Sequence, residues 1–146
     1  MVDDALRWLA GRWRLDRTVA DLAGGRAGRF LGTGEFRPDS GGLRYHEAGT
    51  LEWGGHRGPA ERTLRYRRAG GSLLRVEFED GRFFHDLDLT GGGWRVVHPC
   101  RADEYRGEFT VLGPDAFRQL WWVTGPAKRQ RLETAFQRLS PPDPTV

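Results

Sequence analysis

One cysteine and one methionine stand in a chain of 146 residues, and Lys128 is its only lysine. A lone Cys100 excludes an internal disulfide framework and a cysteine-only zinc site, and it fits a reducing compartment. Long apolar runs are missing too, since none approaches the roughly 18 residues that span a bilayer as a helix. The opening residues, Met1-Val2-Asp3-Asp4, are acidic where a signal peptide carries basic ones. The expectation is a soluble, cytoplasmic protein held together by packing alone, without a membrane partner.

No charge sign dominates either. The 23 basic and 20 acidic residues leave a net charge of +3. Basic residues alternate with acidic ones (Glu61-Arg62, Arg75 and Glu77, Arg106 and Glu108) and never run longer than Arg67-Arg68. Nucleic-acid binding calls for a sustained basic face, so no such partner is expected. What the chain does have is 38% hydrophobic residues, a 12% share of aromatic ones and 21 glycines, enough for one domain with a sizeable core.

Only the first residues read as helix. Asp3 or Asp4 can cap a short segment carrying Leu6, Trp8 and Leu9 and ending at Gly11. From Arg12 to Leu139 short alternating segments are separated by turn signals such as Gly24-Gly25, Gly41-Gly42, Gly54-Gly55, Gly70-Gly71, Asp80-Gly81 and Gly113-Pro114. This predicts an antiparallel meander of about ten strands. Short connections throughout favour an up-and-down barrel over a sandwich. The assignment is all-β: a single closed antiparallel barrel over residues 1–140 with a short N-terminal helix, followed by a flexible tail at 141–146.

Alternate residues of a strand point to opposite faces, so parity selects the interior. On the first three strands it selects Trp13, Leu15 and Arg17, then Phe30, Gly32, Gly34 and Phe36, then Tyr45, Glu47, Gly49 and Leu51. Leu64 and Tyr66 follow, provided that a three-residue loop spans Ala69 to Gly71. A two-residue turn at Asp80-Gly81 sets Phe78 across from Phe83, placing Phe83, His85 and Leu87 inside and Phe84 outside. A four-residue loop from Thr90 to Gly93 then pairs Leu89 with Trp94, which turns Trp94, Val96, His98 and Cys100 inward. Tyr105, Gly107 and Phe109, and later Leu132, Thr134 and Phe136, complete the interior. The strand from Leu120 to Thr124, with adjacent Trp121 and Trp122, is ambiguous.

Gly11-x-Trp13, opening the first strand after a short helix, resembles the Gly-x-Trp signature of the lipocalin and fatty-acid-binding-protein (calycin) superfamily. That resemblance implies a ligand-binding barrel in which Arg138, near the end of the last strand, packs over Trp13. The set Tyr45-x-Glu47-x-Gly49, Asp80-Gly81-Arg82-x-Phe84-His85, His98-x-Cys100-x-x-Asp103-x-Tyr105-x-Gly107 and Trp122-x-x-Gly125-Pro126-x-Lys128 resembles a bacterial and fungal family of lipocalin-like domains of unknown function. It covers nearly the whole chain and implies a fold and a pocket.

A pure packing core would be filled by Leu, Ile, Val and Phe. This interior also presents Arg17, Tyr45, Glu47, Tyr66, His85, His98 and Tyr105, and a buried polar group costs roughly 1–3 kcal/mol if unpaired. Either these groups satisfy one another in a network, or they orient a ligand. With Phe30, Phe83, Trp94, Phe109 and Trp122 as walls and the inner glycines leaving space, the expected function is binding of a small, largely apolar or aromatic molecule. Its site residues are Tyr45, Glu47, Tyr66, His85, His98, Tyr105, Trp122 and Arg17. The alternative is an acid/base enzyme without cofactor, of decarboxylase, cyclase or isomerase type, with Glu47, His85, His98 and Tyr45 as catalytic groups. A further alternative is a haem-binding barrel with His85 or His98 as axial ligand. The acids and histidines lack compact metal-ligand spacing, so no metal or other cofactor is expected. The oligomer is expected to be a monomer or homodimer. Asp103 and Lys128 are placed to tie loops at one barrel mouth.

Overall fold

The computed structural model describes residues 2–139, the side chain of Cys100 excepted. The expected tail at 141–146 and the inward placement of Cys100 fall outside that description. One short helix, α1 (Ala5–Leu9), precedes ten strands: β1 (Gly11–Asp21), β2 (Arg26–Asp39), β3 (Gly42–Trp53), β4 (His56–Gly70), β5 (Leu73–Phe78), β6 (Phe83–Leu87), β7 (Gly93–Cys100), β8 (Asp103–Gly113), β9 (Ala116–Gly125) and β10 (Lys128–Arg138). The strands form one antiparallel sheet in the order β6-β5-β4-β3-β2-β1-β10-β9-β8-β7. Pairing of β1 with β10, from Trp13 opposite Arg138 to Asp21 opposite Gln130, joins the first strand to the last and rolls the sheet into a nearly closed barrel. No described helix is long and apolar enough to cross a membrane.

Closure is incomplete at one seam. Instead of the expected hairpin pairing Leu89 with Trp94, β6 and β7 are the two ends of the sheet order and carry no ladder among the described residues. The Asp88 carboxylate accepts from the Thr90 backbone N–H (3.0 Å) and hydroxyl (2.6 Å), a local turn that takes the chain out of β6. Trp94 Nε1 bridges the seam by donating to the Asp86 carbonyl at 2.8 Å. Trp94 keeps its inward parity because β8 positions β7, with Trp94 opposite Phe109 and His98 opposite Tyr105.

The helix packs at the barrel end where β1 begins and β10 finishes. Asp4 caps it by accepting from the Arg7 backbone N–H, while Leu6 and Leu9 are buried. Gly11 turns the chain into β1 at φ 115°, a conformation that L side chains disfavour. Trp13 is fully buried and donates its indole N–H to the Leu9 carbonyl (2.8 Å). The Arg138 guanidinium lies 4.3 Å from the Trp13 ring centroid and donates to the carbonyls of Trp8 and Pro114. Helix, first strand and last strand are thereby joined by one cation–π contact and these hydrogen bonds.

Two bulges decide the interior. Between β4 and β5 the register shifts at Arg68/Gly70, which supplies the extra residue needed to keep Tyr66 inside, opposite Val76. Between β5 and β6 it shifts again, with Val76 opposite His85 but Glu77 opposite Phe83. The extra residue on β6 reverses the expected assignment on the turn side of the bulge: Phe84 is buried and Phe83 is 41% exposed. Phe84 stacks on Phe78 (4.6 Å) and Trp121 (5.2 Å), whereas Phe83 lies outside under the Arg75 guanidinium. His85 and Leu87, beyond the bulge, stay inside as parity predicts.

Candidate functional site

Polar residues of the barrel interior fall into two groups of contacts. The first is built across β1, β3, β4 and β10 around Glu47, which is 3% exposed. Arg17 grips this carboxylate with both terminal nitrogens, at 2.7 and 2.9 Å, and donates its Nε–H to the Thr134 hydroxyl at 2.8 Å. The Tyr45 hydroxyl donates to Glu47 Oε1 at 2.7 Å, and Arg62 approaches the same oxygen at 3.5 Å. Parity places these groups together: Arg17 is two residues on from Leu15, Glu47 two on from Tyr45, and β2 separates their strands with Gly34 opposite both Trp13 and Glu47. Only a residue without a side chain fits there, because a Cβ on Gly34 would stand 2.7 Å from the Tyr45 ring.

Burial by itself would raise the Glu47 pKa. The Arg17 hydrogen bonds and the charges of Arg62 and Arg17 outweigh it and hold the carboxyl at about 2. Tyr45 is pushed up by burial and by the neighbouring Glu47 charge, so its hydroxyl remains a donor. Tyr66 is likewise raised by burial, is hydrogen-bonded with Gln119, and packs edge-on against Phe36 at 5.2 Å.

This first group forms the floor of a cavity of about 440 Å³ at the barrel mouth. Its walls are mainly apolar, formed by Val19, Phe30, Leu51, Trp53, Ala60 and Leu132, with Gln130 and Glu61 also in the lining. Arg17, Glu47 and Arg62 present the charged groups at its base, with the Arg17 guanidinium also 5.1 Å from the Phe30 ring.

The second group lies at the β6/β7 seam. His85 is 3% exposed and packs against the rings of Phe84, Phe109 and Trp121, at 4.8, 5.4 and 5.4 Å. Its Nδ1 is 2.7 Å from the Asp86 carbonyl, which can only accept, so the neutral ring carries its proton on Nδ1. Burial lowers the His85 pKa to about 4, only partly countered by that hydrogen bond. His98 and Tyr105 are half-buried, and their rings stand 6.3 Å apart beside Phe84. Neither histidine lines the 440 Å³ cavity.

Of the eight residues singled out from sequence, Arg17 and Glu47 line the cavity and Tyr45 bonds to its floor. Tyr66 lies deeper, and His85, His98 and Tyr105 belong to the seam. Trp122 is a correction. It lies outside, beside Val97, Glu104 and Arg106, because Phe117, Gln119 and Val123 fix the inward parity of β9 and so turn Trp121 inward. Two of the glycines expected to leave space instead make room for rings, Gly107 under Trp121 and Gly34 against Tyr45, while Gly32 and Gly49 face each other across closely approaching backbones. Sequence reasoning missed Arg62 and Gln119. Both carry the parity signal, each lying two positions before an inward residue, Leu64 and Trp121. At the rim, Lys128 Nζ meets Asp103 at 3.5 Å, the loop tie expected from sequence.

Residues 9–138 match the family described as "Family of unknown function (DUF6314)", and the chain belongs to that family. No curated protein matches the sequence. Among solved structures, the S-type phycobiliprotein lyase CPES from Guillardia theta is similar in fold, with a TM-score of 0.66 at 6% identity over 93% of this chain and 91% of that one. A DUF3598-family protein of unknown function from Nostoc punctiforme gives a TM-score of 0.61 at 12% identity, over 92% of this chain but 49% of that one. The barrel EF1p2_mFAP2b, solved bound to DFHBI, gives 0.50 at 16% identity over 94% and 99% of the two chains.

Proposed function

We propose that this member of the DUF6314 family binds a small, largely apolar or aromatic molecule in the 440 Å³ cavity at the barrel mouth. The observation that carries the proposal is the pairing of apolar walls (Phe30, Leu51, Trp53, Leu132) with a charged floor built from Arg17, Glu47 and Arg62. A concave apolar space with a few convergent polar groups is the usual anatomy of a ligand site. At 6% and 16% identity, likeness to the phycobiliprotein lyase and to the DFHBI-bound barrel is likeness of fold and assigns no ligand. The support comes from the cavity itself.

Binding is favoured over acid/base catalysis by the state of Glu47. Held at about 2 and engaged by Arg17, Tyr45 and Arg62, its carboxylate is a weak base with its lone pairs already in use. The haem reading fares no better, because the cavity lining contains neither His85 nor His98.

The test is fluorescence titration with the neutral dye N-phenyl-1-naphthylamine. Saturable one-to-one binding is expected, abolished by Ala60→Trp, which fills the cavity, and retained by Trp122→Ala on the outer wall. Leu132→Arg serves as a second blocking variant if Ala60→Trp does not fold. Absence of saturable binding, or binding indifferent to a folded blocking variant, overturns the proposal.

A further inference from the structure

Deepening that reading, and resting on it, we propose that the cavity selects anions: an apolar body bearing one carboxylate- or sulfonate-type group, read by Arg62. On the inward face two guanidinium groups, Arg17 and Arg62, meet one carboxylate, Glu47, which leaves one positive charge in excess there; Glu61 also lines the cavity but sits on the opposite parity of β4. Arg17 is not the spare cation. Its Nε and both terminal nitrogens are engaged, by Thr134 and by the two oxygens of Glu47. Glu47 is equally committed, since Oε2 accepts from Arg17 while Oε1 accepts from Arg17 and Tyr45.

Arg62 is different. Among the described residues its ion pair is the 3.5 Å approach to Glu47 Oε1, an oxygen that two shorter hydrogen bonds already occupy. Its side chain is 44% exposed and lines the cavity, so most of its five N–H donors are available to an incoming acceptor. Glu61, the other acid at the cavity edge, is screened by solvent and offsets this charge only weakly. It is 75% exposed and lies 3.9 Å from His46. An anion entering past Trp53 and Leu51 would meet a guanidinium partly shielded from water by apolar walls, where a charge-assisted pair is stronger than at an open surface. A cationic ligand would face the same excess as repulsion.

Paired dyes test this. N-phenyl-1-naphthylamine and 1-anilinonaphthalene-8-sulfonate share one aromatic body and differ by the sulfonate. The intact chain is expected to bind the sulfonate dye at least about tenfold more tightly than the neutral one. That ratio should fall about tenfold in Arg62→Met and be largely kept in Arg62→Lys, with Arg62→Gln replacing Arg62→Met if the latter does not fold. Arg95→Met, at a side chain 86% exposed on the outer wall, should leave the ratio unchanged. Neutral-dye binding without a sulfonate preference, a preference that survives loss of Arg62, or one equally sensitive to Arg95 overturns the inference while the cavity reading stands. Failure of both dyes to bind overturns the cavity reading and this inference with it.

Discussion

Replacing Glu47 by glutamine removes one charge and little volume, yet it should be among the most destabilising single changes in the barrel. Arg17, whose side chain is 11% exposed, would be left as a buried cation without a counter-charge, and the Tyr45 hydroxyl would lose an ionised acceptor. Glu47 titrates at about 2 in the folded chain against an ordinary value of 4.5. At about 1.4 kcal/mol per pKa unit, that gap corresponds to about 3 kcal/mol, in line with the roughly 3–5 kcal/mol found when one partner of a buried pair is removed. For a chain of this size, an unfolding entropy of about 0.3 kcal/mol/K converts 3 kcal/mol into a melting-temperature drop of about 10 °C. The pH dependence has a definite sign. A carboxyl with a depressed folded pKa contributes stability that is present above about 4.5 and lost as pH falls towards about 2. The stability gap between the native chain and Glu47→Gln should therefore be constant above pH 4.5 and shrink towards zero by pH 2. Denaturant titrations of the native chain, Glu47→Gln, Arg17→Met and the double variant measure it. The double variant should recover much of the loss, since neither charge is then left alone. A Glu47→Gln drop below about 2 °C, or a gap that does not change between pH 4.5 and 2, would refute the reasoning.

Two further predictions concern the seam. Phe84→Ala should cost about 3–5 kcal/mol in a urea titration, as for a buried phenylalanine, whereas Phe83→Ala, next to it but 41% exposed, should cost less than about 1 kcal/mol; equal losses would place the bulge wrongly. His85, with its pKa lowered to about 4, should stay neutral with the proton on Nδ1 in nitrogen NMR at pH values well above 4, and its contribution to stability should decline as pH falls from 6.5 towards 4. An imidazolium signal for His85 at about pH 6 would contradict its burial among Phe84, Phe109 and Trp121.

The barrel was legible because its turn signals are dense and its inner faces are apolar on one parity. Trp13, Leu15, Phe30, Phe36, Tyr45, Glu47, Leu64 and Tyr66 are all buried as that parity requires. Errors fell at adjacent aromatic pairs. In Phe83-Phe84 and Trp121-Trp122 one ring must face in and the other out, and two neighbouring aromatic residues offer no compositional reason to choose. Register chooses, through a bulge opposite Glu77 in the first case and through Phe117 and Val123 in the second. The bulge on β6 has no glycine marker, so nothing local announces it. The absent β6/β7 ladder was hidden for a related reason: the residues that end β6 early, Asp88 and Thr90, form a side-chain turn inside what reads as a continuous alternating strand.

The polar interior shows why listing inward residues stops short of finding a site. Parity names Arg17, Tyr45, Glu47, His85 and His98 alike, but hydrogen-bond accounting separates them. Arg17, Glu47, Tyr45 and Thr134 satisfy one another across three separate strands, and a satisfied group stabilises the fold without calling for a ligand. His85 is satisfied by the carbonyl of its own neighbour Asp86. Of the two guanidinium groups that line the cavity, Arg62 is the one left with capacity; its inward position follows from Leu64, and its significance emerges only once the donors around Glu47 have been assigned. In the proposed reading the network and the ligand site are therefore not rival uses of the same side chains. The buried pair fixes the floor, and because that pair neutralises itself, recognition is assigned in this proposal to the Arg62 charge beside it.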